Sequence, residues 1–238
     1  LRRPEDMNTS APTTSRPRPT TTPSTARPRV GRWAPRDLHR TGGVAVALFA
    51  MLHLGNHLVA IAGVPAHQQV LDFLRLLYRH PLVEVPLLLV LAVQVVTGAA
   101  GAWRTLRAAT HRRHPMASVQ AASGLVLGSF VLVHVAAVLM GRYAMQLDTN
   151  FHFAAAGLHT PWAWFFAPYY FLGVSALGVH LGCVAQRRMP SRPSVLRRAA
   201  PGLIALTGVA LAGCLVALMA GWLGEVRIPT QYLDTYPV

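Results

Sequence analysis

Apolar residues in this chain gather into five long runs, at about 42–63, 82–103, 118–140, 162–185 and 202–223, separated by polar stretches that carry arginine. Each run reaches the roughly 20 residues needed to cross a hydrocarbon core of about 30 Å. None alternates with a period of two, and lipid offers the backbone no hydrogen-bond partner, so each run is expected to be helical. The pattern predicts an all-α polytopic membrane protein, a bundle of five transmembrane helices. Pro86 and Pro168 are expected in the first turns of the second and fourth helices, where a missing N–H is tolerated. Two connections carry further pattern. Within 71–80, Leu71, Leu74, Leu76 and Leu77 form a stripe beside Arg75 and Arg79, which suggests a short interfacial helix. The stretch 142–161 is long and aromatic, with Tyr143, Phe151 and Phe153, and reads as a cap over one end of the bundle.

Charge then sets an orientation. Arg32, Arg36 and Arg40 precede the first run. Arg104, Arg107, Arg112 and Arg113 follow the second, and Arg187, Arg188, Arg192, Arg197 and Arg198 follow the fourth. The other side has only Arg75, Arg79, Arg142 and Arg227. This asymmetry predicts an N-terminus in the cytoplasm and a C-terminus outside, as in a multi-pass protein of a bacterial inner membrane. The 238 residues are 53% hydrophobic and 13% charged, a membrane-protein composition. A net charge of +14 invites nucleic-acid binding, but the positive-inside pattern and a basic tail already account for it, and that reading is rejected. Residues 1–30, rich in Thr, Pro, Ser and Arg, read as a disordered cytoplasmic tail with no cleavable leader pattern. Residues 31–225 form the helical domain and 226–238 an external tail. Cys183 and Cys214 lie in apolar runs and read as small packing residues.

Histidine carries the candidate chemistry. The first and third runs each place a histidine ten residues after a glycine and four after a phenylalanine: Gly43, Phe49 and His53, then Gly124, Phe130 and His134. An ionisable ring at membrane depth marks a candidate functional site. Two at matched depth, on helices that run the same way, suggest axial ligands of one haem iron. The alternative is a pair of structural histidines bonded to carbonyls of neighbouring helices. His57, one turn beyond His53, competes for the ligand role or, with Asn56, bonds a haem propionate, a quinone carbonyl or the cap. His180 lies in the fourth run, nearer the Arg-rich side, and its counterpart in the second is Gln94, a poor iron ligand whose amide suits a quinone or His180. One haem is expected and a second is doubtful. His39 and Arg40 stand at the mouth of the first helix, placed for lipid phosphate, a propionate or a quinone head group, or as a positive-inside anchor. Glu84 is expected to favour the start of the second helix through the helix dipole. His67, His80, His111, His114, His152 and His159 show no spacing that implies a metal.

From about Arg36 to Leu223 the chain resembles the single-polypeptide cytochrome b membrane anchors of succinate dehydrogenases and fumarate reductases. The residues that carry the resemblance are His39-Arg40-x-Gly42, Leu52-His53-Leu54, Glu84, Gln94-x-x-x-Gly98, Gln120-x-x-Ser123-Gly124 before His134, and Gly173 before His180. The resemblance implies five helices, a cytoplasmic N-terminus, haem b, quinone, and soluble flavoprotein and iron–sulfur subunits on the cytoplasmic face. It also implies that His53 and His134 hold the distal haem and that His180 is half of a proximal pair. Gln94 departs from that pattern, standing where the family has the other half. The chain is also similar to the membrane domain of fungal mitochondrial adaptor proteins, through Tyr78-Arg79-His80-Pro81-Leu82-Val83-Glu84 and Ser123-Gly124…His134. That likeness implies a stand-alone haem- or lipid-binding membrane protein without dehydrogenase partners. A di-haem quinol oxidase or ferric-reductase-like protein is a third reading, disfavoured for want of a second ligand pair. The chain has no flavin, dinucleotide or iron–sulfur motif of its own.

The orientation has a direct check. In right-side-out vesicles, a cysteine-reactive reagent that cannot cross membranes labels Glu225→Cys and leaves Arg107→Cys unlabelled; the reverse pattern overturns the assignment.

Overall fold

Each of the five apolar runs is one helix in the computed structural model, which describes residues 35–108, 115–189 and 195–236. The tail 1–30, His111, His114, Arg112, Arg113 and Arg192 lie outside the described residues. The long helices are α1 (Pro35–Val59), α3 (Pro81–Arg107), α4 (Pro115–Leu139), α6 (Ala163–Arg188) and α7 (Val195–Met219); α2 (Val64–Tyr78), α5 (Phe151–Ala155) and α8 (Thr230–Leu233) are shorter. All five long helices are apolar enough to cross a membrane, and there is no strand among the described residues. The chain is an all-α, multi-pass membrane protein. Exposed aromatics ring both ends. Tyr143, Trp164 and Trp222 lie at one, and Trp103, with the Arg107 guanidinium 4.3 Å over its ring, lies at the other.

Two local expectations need correction. The prolines are not in first turns: α3 begins at Pro81 and α6 at Ala163, which puts Pro86 and Pro168 inside their helices. Each ring removes one backbone bond that neighbouring helices must compensate. The interfacial helix starts well before residue 71. After a tight turn at Ala60–Ala62 the chain reverses at Gly63, whose φ of 111° is open to glycine and strained for other residues. Pro65 in the first turn then starts α2, because its fixed φ suits a helix beginning. As a result α2 folds back on α1, burying His67 and Leu71 while Phe73, Leu76 and Leu77 face outward.

The helices pack in series, α3 against α1 and α4, and α6 against α4 and α7. The α6–α7 seam is the tight one. A Cβ on Gly178 would stand 2.7 Å from the Gly208 Cα, and one on Gly182 would stand 2.6 Å from the Pro201 carbonyl. Small residues four apart let two backbones touch where lipid supplies no hydrophobic drive. The apolar windows of α6 and α7 are 39% and 33% buried, against 11%, 6% and 6% for α1, α3 and α4, so the first three spans turn more of their surface outward.

The expected cap is present. After a wide turn at Met140–Ala144, Asn150 caps α5 by accepting from the His152 and Phe153 amides at 2.9 and 3.2 Å. Phe153 lies on Gly141 and Phe166 on Gly157, and the Tyr170 hydroxyl donates to the Ala154 carbonyl at 3.0 Å. His159 Nε2 donates to the Met219 carbonyl at 2.8 Å, satisfying an end group of α7. Arg75 reaches Asp148 at 2.6 Å, tying the cap to α2. Residues 226–236 are not a free tail: Val226 and Ile228 pack on the core at the capped end, and Tyr232 is buried beside His152. The reason is burial of three apolar groups that water would otherwise meet.

Gly178→Leu forces a side chain into backbone and should destabilise the protein by about 1–3 kcal/mol or more, read as a lower melting temperature in detergent. Gly101→Ala, where a Cβ meets nothing within 4 Å, should be neutral or stabilising.

Candidate functional site

His53 and His134 come together. Their ring centroids are 5.9 Å apart with planes at 66°, although α1 and α4 have no packing seam with each other. The shared spacing in sequence becomes shared geometry: His53 stacks on Phe49 at 5.7 Å and His134 on Phe130 at 5.4 Å, both with planes 14° apart. Phe130 lies in turn on bare Gly173, and the Tyr169 hydroxyl donates to the Phe130 carbonyl at 3.1 Å. Among the described residues no hydrogen bond reaches a nitrogen of either ring. That excludes the alternative in which both are bonded to carbonyls of neighbouring helices.

A cavity of about 210 Å³ opens beside His53, lined by Phe49, Asn56, Tyr78 and leucines of α1, α2 and α3. Two metal–imidazole bonds of about 2.0 Å place ring centroids roughly 6 Å apart, so the separation fits a bis-imidazole iron. The cavity lies among α1, α2 and α3, on the flank of His53 that faces α2.

His57 is next to His53, with ring centroids 4.8 Å apart. It continues away from His134 to His67, 5.2 Å further on, where the Asn56 amide donates to His67 Nε2 at 3.2 Å. This cluster holds three buried atoms without a partner: Asn56 Oδ1, His57 Nδ1 and His67 Nδ1. Burial holds the His67 imidazole down to about pH 4, with help from the charges of His53, Arg75 and His152. Sequence spacing did not reveal His67, because its neighbours are made by the reversal at Gly63; the glycine–x–proline pair was the available signal.

Gln94 and His180 do not meet. The Gln94 amide donates to the His39 carbonyl at 2.8 Å, so it is spent on backbone and not on a ligand or on His180. His180 Nδ1 donates to the Gln120 carbonyl at 3.3 Å. The repeated glycines explain themselves here: a Cβ on Gly43 would be 3.2 Å from Gln94 Nε2, and one on Gly124 3.2 Å from His180 Cε1. His39 lies near the start of α1 and turns its ring in against α3, its Nδ1 2.9 Å from the Thr97 hydroxyl and its ring on Gly98. Arg40, one residue on and turned to another face, is exposed and joins neither level. Glu84 lies in the first turn of α3 as expected, where the helix dipole favours its charge. Its carboxylate also pairs with Arg142, both largely buried, while His80 Nδ1 accepts from the Leu82 amide as the cap of α3.

No protein-family model, curated protein or solved structure matches this chain.

His67 gives a pH dependence with a definite sign. Its folded pKa lies below the usual value of about 6.5, so an opened α1–α2 junction takes up a proton that the closed one refuses. Closure is fully stable above about pH 6.5 and weakens as pH falls toward 4. Hydrogen exchange at residues 60–70 should speed up over that window, and His67→Gln should flatten the response.

Proposed function

We propose that this protein is a haem-b-binding membrane cytochrome, the anchor and electron-transfer subunit of a succinate dehydrogenase- or fumarate reductase-like quinone oxidoreductase. The observation that carries the reading is the meeting of His53 and His134, ring centroids 5.9 Å apart, from two helices that both pack on α3. When bound there, haem iron supplies one-electron chemistry. The chain's own residues hold and orient it. Phe49 and Phe130 fix the two ring planes, Gly173 makes room for Phe130, and the cap with its Arg75–Asp148 pair closes the end nearest the site. A neutral imidazole is the form that donates a lone pair to a metal.

The opposite end suits soluble partners. Arg40, Arg104, Arg107, Arg187, Arg188 and Arg198 are exposed there, and none forms an ion pair among the described residues. In the proposed orientation this is the cytoplasmic face of a bacterial inner membrane, where flavoprotein and iron–sulfur subunits dock, with quinone as the lipid-soluble partner. A second reading, a stand-alone membrane protein of the same fold, draws on one observation: Gln94 is committed to the His39 carbonyl, so α3 offers no ligand.

A reduced-minus-oxidised spectrum of the purified chain tests the proposal. The His53–His134 pair is expected to hold about one low-spin haem b. His134→Ala should abolish that haem, whereas His180→Ala should leave it in place. Absence of any Soret band overturns the cytochrome reading.

A further inference from the structure

At the capped end three guanidiniums gather where the ends of α2 and α4 approach the start of α3. Arg75, Arg79 and Arg142 all stand near enough to Tyr78 for their charges to act on its hydroxyl. The carboxylates around them are shared unequally. Arg75 holds both oxygens of Asp148, at 2.6 and 3.4 Å, and reaches Asp72 at 3.3 Å. The Asn150 amide also donates to Asp148, and Arg142 takes both oxygens of Glu84. Among the described residues Arg79 has a neutral partner, the Thr149 hydroxyl at 3.0 Å, and meets Asp148 only at 3.8 Å. Its side chain is also the most open of the three, 29% exposed against 11% for Arg75 and 18% for Arg142. Burial and the charges of Arg75 and Arg142 lower the Arg79 pKa, as expected of a cation short of counter-charge.

This cluster borders an apolar chamber. The cavity beside His53 is walled by Phe49 and Leu52 of α1, Leu74 and Leu77 of α2, and Val83 and Leu87 of α3. Tyr78 belongs to both places, lining the cavity while its hydroxyl feels the three guanidiniums. Leu52 and Leu77 are exposed, so the chamber reaches the outer surface of the bundle. No residue of α4 lines it, so an occupant leaves the approach of His53 to His134 free. The depth is that of lipid head groups: Arg142 lies 5.0 Å over the ring of exposed Tyr143, and exposed Trp164 belongs to the same aromatic belt.

We propose that Arg79, flanked by Tyr78, Arg75 and Arg142, holds the phosphate of one anionic phospholipid, and that the chamber takes one of its acyl chains. A guanidinium fork matches phosphate oxygens, and basic pockets between membrane helices recognise lipid head groups in this way. A free anion would use the arginine and leave the chamber empty; an uncharged lipid would fill the chamber and leave the arginine unmatched. The bound chain would close the flank of His53 that faces α2.

Native mass spectrometry of the full-length protein in detergent, titrated with phosphatidylglycerol or phosphatidylcholine and competed with inorganic phosphate, tests this. Wild type should hold about one phosphatidylglycerol per chain, bound about tenfold more tightly than phosphatidylcholine. Arg79→Gln should weaken that binding about tenfold. Leu77→Trp, which fills the chamber at its exposed side, should weaken the dioleoyl lipid and spare the dihexanoyl one. Arg227→Gln, an exposed arginine at the same end paired with Glu225, should change nothing. The selectivity of wild type needs no variant and stands even where a variant fails to fold. Inorganic phosphate displacing the lipid at equal concentration means an anion site without a chain. Equal affinity for phosphatidylcholine means an acyl groove without a head-group site, and equal losses in Arg79→Gln and Arg227→Gln mean diffuse surface charge. Each of these three results overturns the proposal, and none of them depends on haem.

Discussion

A neutral imidazole in a hydrocarbon layer has to find a donor, an acceptor or a metal, and the histidines of this bundle meet that demand in different ways. His39 and His180 each spend one nitrogen on a neighbouring helix, while His67 takes a hydrogen bond from Asn56. His53 and His134 have no hydrogen bond among the described residues and meet one another instead. A metal centre between them is the partner proposed here.

The bundle is packed unequally. Glycine seams hold α6 and α7 backbone to backbone, giving a rigid wall, whereas α1, α3 and α4 turn more of their surface outward. Cofactor sites in helical bundles are built in such cores from side chains on facing helices. The rigid wall also aims side chains. Gly173 seats Phe130, Phe130 sets the plane of His134, and the Gly178–Gly182 face directs His180 toward Gly124. At the capped end, the reversal at Gly63 and the ion pair between Arg75 and Asp148 close the bundle over His57 and His67. Rigidity and closure together fix the orientation of the rings.

Gln94 shows how one polar side chain can tie two helices together. Its amide spans the seam to the His39 carbonyl, and glycines at positions 42 and 43 admit it. The two levels of the bundle are thus not copies. At one, rings from α1 and α4 meet, and at the other His39 lies against Gly98 of α3 while His180 lies against Gly124 of α4.

Hydropathy alone determined the five spans, because each run must satisfy its own backbone in lipid, whatever surrounds it. The Gly–Phe–His spacing likewise determined that His53 and His134 share a local geometry, since residues four apart on a helix are neighbours. What only the tertiary structure decided is which polar side chains meet: His67 with Asn56, Gln94 with the His39 carbonyl, Glu84 with Arg142. Each of these pairs joins different elements, and its partner is set by a chain reversal or by the rotation of one helix against the next. No local periodicity encodes either, because both arise from packing between segments far apart in the chain.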